Sequence, residues 1–263
     1  MEEKLDTNAL RAQMNDLATQ LITDPKKIEE FCAQWSQGFH NYSFGNLLLI
    51  HFQKRSATLC AGFGTWKSKK RNVRKGEKAI KILAPCVLKD KDDEEKTKIF
   101  YRTVSVFDIS QTDGEPIELG HSDKISGTIS FADISKKLGY DVALTGPRHE
   151  NGSTDGQKIW ITKKENETAM TATLFHEVAH IELKHCQNGL LSDSEIVPCD
   201  IKEIEAESVA YLVCCALKIE NKKSALYLSS FGATAEKLEN SATKILKVAE
   251  SIIKKVLSKP EGE

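Results

Sequence analysis

The sequence lacks any CxxC pair among its seven cysteines, and the number of cysteines is odd. Disulfide frameworks and cysteine-rich zinc modules use paired, closely spaced cysteines, so both classes are disfavoured. Free thiols persist in a reducing compartment. We therefore expect a cytoplasmic protein.

A long apolar run is also missing. No stretch reaches the roughly eighteen apolar residues that a membrane-spanning helix needs. The first residues, MEEKLDTNALRAQMND, are charged and have no apolar segment of the kind that signal peptides carry. We therefore expect no membrane partner.

The whole chain has no excess of one charge, but one segment does. The formal net charge is -1 over 263 residues. Residues 51–90 contain eleven Lys or Arg and two acidic residues, Glu77 and Asp90, which gives +9. Such a segment can bind a polyanion, or it can be an ordinary solvated surface. Composition alone leaves both interpretations open.

The spacing of apolar residues predicts an α+β protein. Helical spacing dominates the first fifty residues, and two alternating runs on either side of an acidic loop predict a β-hairpin. After a turn-rich stretch, FADISKKLGY predicts a short helix, KIWIT a strand, and IKEIEAESVAYLVCCALKI a long helix. We expect two domains joined by a linker, with boundaries 1–118, 119–129 and 130–263.

The segment TATLFHEVAHIELKH, residues 171–185, has two histidines four apart with a glutamate between them. On a helix, residues four apart project from one face about one turn from each other. His176 and His180 can therefore bind one zinc ion, with Glu177 beside them as the base. The alternative is a pair of hydrogen-bonded histidines on a half-buried helix.

Zinc needs a third protein ligand and an open position for water. His185 lies nine residues after His176, about 180° around a continuing helix, so a surface or capping role fits it better. Glu203 and Glu207 share a helix face, whereas Glu205 points elsewhere. One of the pair can bind zinc while the other accepts the free N–H of a ligand histidine. An acidic triplet can also be a solvated face.

A zinc ion at this position predicts hydrolysis. The metal lowers the pKa of its water toward about 7. Glu177 takes the proton, the hydroxide attacks a polarised carbonyl, and Glu177 delivers the proton to the leaving amine. KIWIT, residues 158–162, could pair with the backbone of an extended peptide. Tyr140, Tyr211 and His149 are unranked candidates for stabilising the oxyanion.

Two stretches of the second domain resemble known zinc peptidases. LFHEVAHIELKH and EIEAESVAYLVC are similar to the ImmA/IrrE class and, more closely, to the peptidase half of ArdC-type antirestriction proteins. In peptidases of this pattern the first Glu of E-x-x-x-D/E is the third ligand. The resemblance implies a zincin-like metallopeptidase domain in which His176, His180 and Glu203 hold Zn²⁺, Glu177 is catalytic and Glu207 supports a ligand.

The first domain resembles the N-terminal domain of ArdC-type proteins, which binds single-stranded DNA in that family. The blocks NYSFGNLLLI, GFGTWKSKKRNVRKGEKAIKIL and VFDISQTDGEP carry the resemblance. Proteins that bind single strands combine a positive groove with aromatic stacking platforms. The candidate DNA contacts are Tyr42, Phe63, Trp66, Lys67, Lys69, Lys70, Arg71, Arg74, Lys75 and Lys78.

The sequence supports three functional hypotheses. The leading one is a zinc metalloprotease whose single-stranded-DNA-binding domain brings it to protein substrates on or near DNA. The first alternative is a non-proteolytic antirestriction protein that protects single strands. The second is an ImmA/IrrE-like peptidase that cleaves a repressor. Glu177 favours an enzyme, and the basic first domain argues against the repressor-cleaving alternative.

Overall fold

The computed structural model describes residues 7–22, 24–36, 42–89, 97–117, 130–146, 150–186, 199–221 and 235–258. Within these residues the protein has a mixed α+β fold, as the sequence predicts. Below, the first part means residues 7–117 and the second part means residues 130–258.

Three helices begin the first part: α1 (Thr7–Ile22), α2 (Pro25–Trp35) and α3 (Phe44–Gln53). The Asp24 side chain accepts a hydrogen bond from the N–H of Lys26 at the start of α2. Pro25 occupies the first turn of that helix, where a missing N–H costs nothing.

A long hairpin forms the first sheet, whose strand order is β1–β4–β3. Strands β3 and β4 pair antiparallel from Ile80 opposite Val106 to Lys89 opposite Thr97, which confirms the predicted hairpin. The acidic loop at 90–96 lies outside the described residues. The strands are β1 (Cys60–Gly62), β3 (Ile80–Lys89) and β4 (Thr97–Asp108).

A second, two-stranded sheet lies beside this hairpin. Helix α4 (Phe63–Ser68) follows β1 and leads to β2 (Arg71–Val73), which pairs antiparallel with β5 (Thr112–Gly114). Seven of the eleven Lys and Arg residues of the segment 51–90 therefore lie on α4, on β2 and in the turns around them.

A buried carboxylate secures the connection between β4 and β5. Asp108 is fully buried, and its Oδ1 accepts the N–H groups of Thr58 at 2.7 Å and Leu59 at 3.0 Å. The side chain of Gln111, in a 3-10 turn, accepts the N–H of Asp108 at 2.9 Å. These bonds satisfy buried backbone groups, so the VFDIS block has a structural role.

Within its described residues, the second part contains one mixed sheet and four helices. Strand β8 is central, parallel to β6 and antiparallel to β7. The predicted helices at FADISKKLGY and IKEIEAESVAYLVCCALKI and the predicted strand KIWIT are confirmed, and the first of these helices ends at Leu138. The elements are α5 (Phe131–Leu138), β6 (Asp141–Thr145), β7 (Gly152–Thr154), β8 (Lys158–Thr162), α6 (Glu167–Glu182), α7 (Cys199–Ala216) and α8 (Ala235–Leu257).

Helices of the two parts pack on one another. Helices α1 and α3 contact α8, and α2 contacts α7. Buried apolar side chains from both parts belong to one cluster, among them Leu10, Trp35, Leu174 and Ile252. The predicted linker, 119–129, lies outside the described residues, so the proposed domain boundaries stay a prediction. In the part of the chain that the structure describes, no helix is both long and apolar enough to cross a membrane.

Candidate metal centre

Helix α6 carries the H-E-x-x-H segment. Asn166 caps its first turn by accepting a backbone N–H through its side chain. Leu174 and Val178 are fully buried and anchor one face of the helix in the core. His176 and His180 lie one turn apart on another, half-buried face.

Helix α7 brings Glu203 to the two histidines. Its carboxylate oxygens lie 3.3 Å from Nε2 of His176 and 3.5 Å from Nε2 of His180, and the two Nε2 atoms are 3.1 Å apart. One ligand atom from each of the three residues lies within 4.8 Å of the others. Two imidazoles and a carboxylate suit zinc or another first-row divalent ion. Their role as metal ligands stays a prediction.

Glu207 contacts the opposite nitrogen of His176. Its Oε2 lies 3.0 Å from Nδ1 of that ring. A histidine that ligates through Nε2 carries its proton on Nδ1, and a carboxylate acceptor there fixes the tautomer and the ring orientation. This position is compatible with the supporting role that the resemblance implies for Glu207, and that role stays a prediction.

The electrostatics of the cluster favour a positive charge. Burial lowers the pKa of His176, but hydrogen bonds to Glu203 and Glu207 outweigh that effect and raise it to about 9. Burial, followed by the charge on His176, lowers the pKa of His180 to about 4, so its lone pair is available at neutral pH. A divalent cation would offset the negative charge of Glu203 and Glu207, as the proton on His176 does in its absence. The residues present therefore fit a metal ion.

Glu177 lies beside this cluster in the wall of a cavity of about 540 Å³. The residue is 6% exposed, and burial is the main cause that raises the pKa of Glu177 to about 7. A carboxyl with a pKa near neutrality can accept and donate a proton under physiological conditions. Other residues that line the cavity are Glu150, Gly152, Thr173, His176 and Glu207.

Strand β7, not β8, borders the cavity. The prediction that KIWIT pairs with a substrate is wrong, because β6 and β7 occupy both edges of that strand. Gly152 in β7 permits a close approach to α6. A Cβ atom at Gly152 would lie 2.7 Å from Cγ2 of Thr173 and 2.9 Å from Oε1 of Glu177. A larger residue there would displace the Glu177 carboxylate.

The prediction of a surface or capping role for His185 is wrong. Helix α6 ends at Glu182, Lys184 adopts a φ of 63°, and His185 turns back to become 6% exposed. Its ring lies between Nδ1 of His180 and the carboxylate of Glu205. The rotation argument assumed a continuing helix. Nothing local signals the turn, since lysine rarely adopts a positive φ.

Neither of the two tyrosines named as oxyanion candidates lines the cavity. The Tyr140 hydroxyl donates to Glu182 at 2.7 Å. Tyr211 is 7% exposed and packs in the core on α7. The third candidate, His149, lies outside the described residues.

The aromatic residues of the predicted DNA-binding set differ in exposure. Trp66 is fully buried, and its Nε1 donates to the carbonyl of Phe107 at 2.9 Å. The prediction that Trp66 stacks on bases is therefore wrong. Tyr42 is half-buried, packs against the core and donates its hydroxyl to the carbonyl of Cys60 at 2.8 Å. Its contacts are structural as well.

The two arginines of the set bind the protein itself. Arg71 donates from Nε to the hydroxyl of Thr112 at 2.8 Å and from Nη2 to the carbonyl of the same residue at 2.9 Å. Arg74 donates to Glu77 at 2.8 Å and to Asp113 at 3.2 Å. The bonds to Thr112 and Asp113 attach β2 and the following turn to β5. They argue against the prediction that both arginines contact phosphates.

The remaining members of the set are exposed. Phe63 is 58% exposed, and Lys67 follows it one turn later on α4. Lys70 lies 3.5 Å from Glu115, in a pair so exposed that it contributes little. We call Phe63, Lys67, Lys69, Lys75 and Lys78 the basic face. Contacts between this face and DNA stay a prediction.

Comparison with known proteins identifies relatives of the first part and of the whole fold. Residues 7–107 match the family described as the N-terminal domain of anti-restriction factor ArdC. The metal-free crystal structure of the antirestriction protein ArdC from plasmid R388 has a TM-score of 0.61 at 19% identity, and covers 92% of this chain and 97% of that one. The Mn(II)-bound structure has a TM-score of 0.55 at 15% identity, with coverages of 95% and 99%. At these identities the similarity shows the fold.

A protein of Bacillus anthracis, described as uncharacterized, is 24% identical over 282 aligned residues. The alignment covers 87% of this chain and 46% of that relative. The chain therefore spans about half the length of this curated relative.

Proposed function

We propose that this chain, whose residues 7–107 match the ArdC N-terminal domain family and whose fold is similar to that of ArdC over most of its length, is an antirestriction protein that binds single-stranded DNA. The basic face is the surface that binds the strand. A second site, formed by His176, His180 and Glu203, holds a divalent metal ion.

The observation that carries the DNA-binding proposal is the basic face itself. An exposed aromatic ring, Phe63, is followed in the sequence by exposed lysines, and among the described residues the side chains of Lys67, Lys69, Lys75 and Lys78 make no internal bonds like those of Arg71 and Arg74. A ring can stack on any base, while lysines attract the phosphates without reading sequence. This combination suits single strands better than duplex DNA, whose bases are already stacked.

A salt titration of single-strand binding tests this surface. Each phosphate contact contributes about 0.7 to the slope of log affinity against log salt for single strands. The double variant Lys67→Gln/Lys69→Gln should therefore reduce the slope by about 1.4, measured by the fluorescence anisotropy of a labelled oligothymidylate. The matched control is Lys136→Gln/Lys247→Gln, which changes two exposed lysines in the second part. Equal losses in both variants, or salt-independent binding, would contradict the proposal.

The metal proposal is supported by the donor set and its supporting carboxylate. ArdC from plasmid R388 has been crystallised with Mn(II). For this chain we propose Zn²⁺, because two imidazoles and one carboxylate leave an open coordination position that zinc commonly uses. Elemental analysis of purified protein, beside Glu203→Ala, measures the bound ion directly. Equal metal content in the variant would remove Glu203 from the ligand set.

A second candidate function is a metal-dependent peptidase that cleaves proteins on or near DNA. The observation that favours it is the buried Glu177, which a purely structural metal site would not require. A bound ion would polarise a substrate carbonyl. The Glu177 carboxylate would take a proton from water in the cavity and pass it to the leaving amine. The pKa of about 7 suits both steps.

Glu177→Gln separates the two candidate functions. We expect the variant to keep its metal, since Glu177 is not part of the cluster of three ligands. If proteolysis matters for function, cleavage of DNA-bound proteins and protection against restriction are lost together. If the protein acts by binding alone, protection persists in Glu177→Gln. The control is Glu150→Gln, an exposed carboxylate that lines the same cavity.

An ImmA/IrrE-like peptidase that cleaves a repressor is the remaining alternative. It requires no affinity of its own for DNA. Undetectable binding in the salt titration, with cleavage that depends on Glu177, would favour it.

A further inference from the structure

The histidine that follows α6 is part of a buried hydrogen-bonded chain. The N–H of His185 donates to the carbonyl of His180 at 2.9 Å, which returns the backbone toward the helix. The two imidazole rings meet edge to face, with centroids 5.1 Å apart and planes at 70°. This turn places Nδ1 of His185 3.1 Å from Nδ1 of His180.

The chain continues through α7 to α8. Nε2 of His185 lies 3.0 Å from Oε2 of Glu205, and the hydroxyl of Ser241 donates to Oε1 of Glu205 at 2.7 Å. The side chains of His185 and Glu205 are only 3% and 5% exposed. We call His185, Glu205 and Ser241 the support chain.

The donors and acceptors of the support chain can be assigned in sequence, from Glu205 through His185 to His180. An ionised carboxylate only accepts hydrogen bonds, so Glu205 requires the proton of His185 on Nε2. In a neutral His185 ring Nδ1 is then an acceptor, which requires the proton of His180 on Nδ1. The lone pair of His180 is left on Nε2, the atom that lies 3.5 Å from Glu203.

The two candidate histidine ligands are therefore supported differently. His176 contacts the Glu207 carboxylate directly, at 3.0 Å. Nδ1 of His180 instead meets the ring of His185, which in turn contacts the Glu205 carboxylate. The last element of the support chain, Ser241, lies on α8, so the final helix contributes to a site formed by α6 and α7.

We infer that the support chain fixes His180 in the tautomer that can bind a metal ion, and that His185 and Glu205 are positioning residues for that ligand. The inference deepens the proposed metal site and rests on it. A purely structural role for the same bonds would affect folding stability alone. The support chain instead affects metal affinity and the position of the His180 proton.

Glu205→Gln tests the inference. An amide can donate as well as accept, so the variant no longer requires the proton of His185 to be on Nε2. We expect the affinity for Zn²⁺ and Mn²⁺, measured by competition with a chromophoric chelator, to fall by about 10- to 100-fold. Ser241→Ala should give a smaller loss, and Ser241→Thr, which keeps the hydroxyl, should restore it. The matched control is Ser208→Ala, which removes a buried hydrogen bond on the same helix outside the support chain. Its affinity should stay within about twofold of wild type.

Nitrogen-15 NMR of the histidine rings in the metal-free protein gives a second measurement. In wild type we expect the His180 proton on Nδ1, and in Glu205→Gln a mixture of tautomers. Wild-type affinity in Glu205→Gln, or a wild-type His180 proton on Nε2, would overturn the inference. Absence of Zn²⁺ and Mn²⁺ binding by wild type would refute the proposed metal site, and the tautomers alone would then decide whether the support chain exists.

Discussion

Phe63 and Trp66 lie three residues apart on α4, yet their substitution by alanine should affect different properties. Phe63 is 58% exposed, so Phe63→Ala should change the free energy of unfolding by no more than about 0.5 kcal/mol. Trp66 is fully buried and donates a hydrogen bond to Phe107. Trp66→Ala should therefore cost about 3–5 kcal/mol of stability.

The effect on DNA binding should be the reverse. Stacking of one base on an aromatic ring is worth about 1–3 kcal/mol, which corresponds to a 5- to 140-fold loss of affinity on removal of the ring. We expect a loss in this range for Phe63→Ala. Trp66→Phe, which keeps most of the buried volume, should retain wild-type affinity because no face of Trp66 is exposed.

Two assays separate these effects. Urea unfolding followed by circular dichroism gives the free energy of unfolding for each variant. Anisotropy of a labelled oligothymidylate at fixed salt gives the affinity, with Phe100→Ala as the control because that ring is also exposed, at 43%. Unchanged affinity in Phe63→Ala would refute stacking at the basic face. Weak binding by a folded Trp66→Phe would refute the division into core and surface rings.

Two further predictions concern buried polar groups. Asp108→Ala leaves three backbone N–H groups without an acceptor. Urea unfolding should therefore show a free energy of unfolding that is lower by at least about 3 kcal/mol. The control Asp113→Ala, at an exposed carboxylate, should lower it by less than about 0.5 kcal/mol. Burial, followed by Arg55, lowers the pKa of His51 from 6.5, and its Nε2 is buried without a hydrogen-bond partner. The unfolded chain then binds the proton more readily, so the free energy of unfolding should fall as the pH drops below about 6.5. His51→Gln should show a shallower decrease between about pH 5 and pH 7, and an identical decrease would contradict this assignment.

Local patterns in the sequence predicted the elements that carry the site. The β3–β4 hairpin and the long helices α6 and α7 depend on neighbours a few residues apart, and propensity and spacing encode such contacts directly. The same holds for the pairing of His176 with His180. Four-residue spacing on a helix places both rings on one face whatever surrounds them.

Burial could not be read from the same patterns. A tryptophan beside lysines has the composition of a nucleic-acid surface, but Trp66 is covered by a strand 41 residues further along the chain. Arg71 belongs to the basic segment in the sequence, but in the structure its guanidinium is bonded to Thr112 of β5. Whether a basic or aromatic side chain faces solvent depends on packing partners that no local window contains.

The sequence by itself determined which residues could form a metal centre, because helical periodicity fixes the relative directions of side chains three or four positions apart. Only the tertiary structure decided that α7 presents Glu203 to both imidazoles and that His185 turns inward to Glu205, 20 residues away. The left-handed Lys184 makes that turn possible. The bonds that His185 makes to His180 and Glu205 in the folded chain stabilise this strained backbone position. The residues beside Lys184 in the sequence do not explain it.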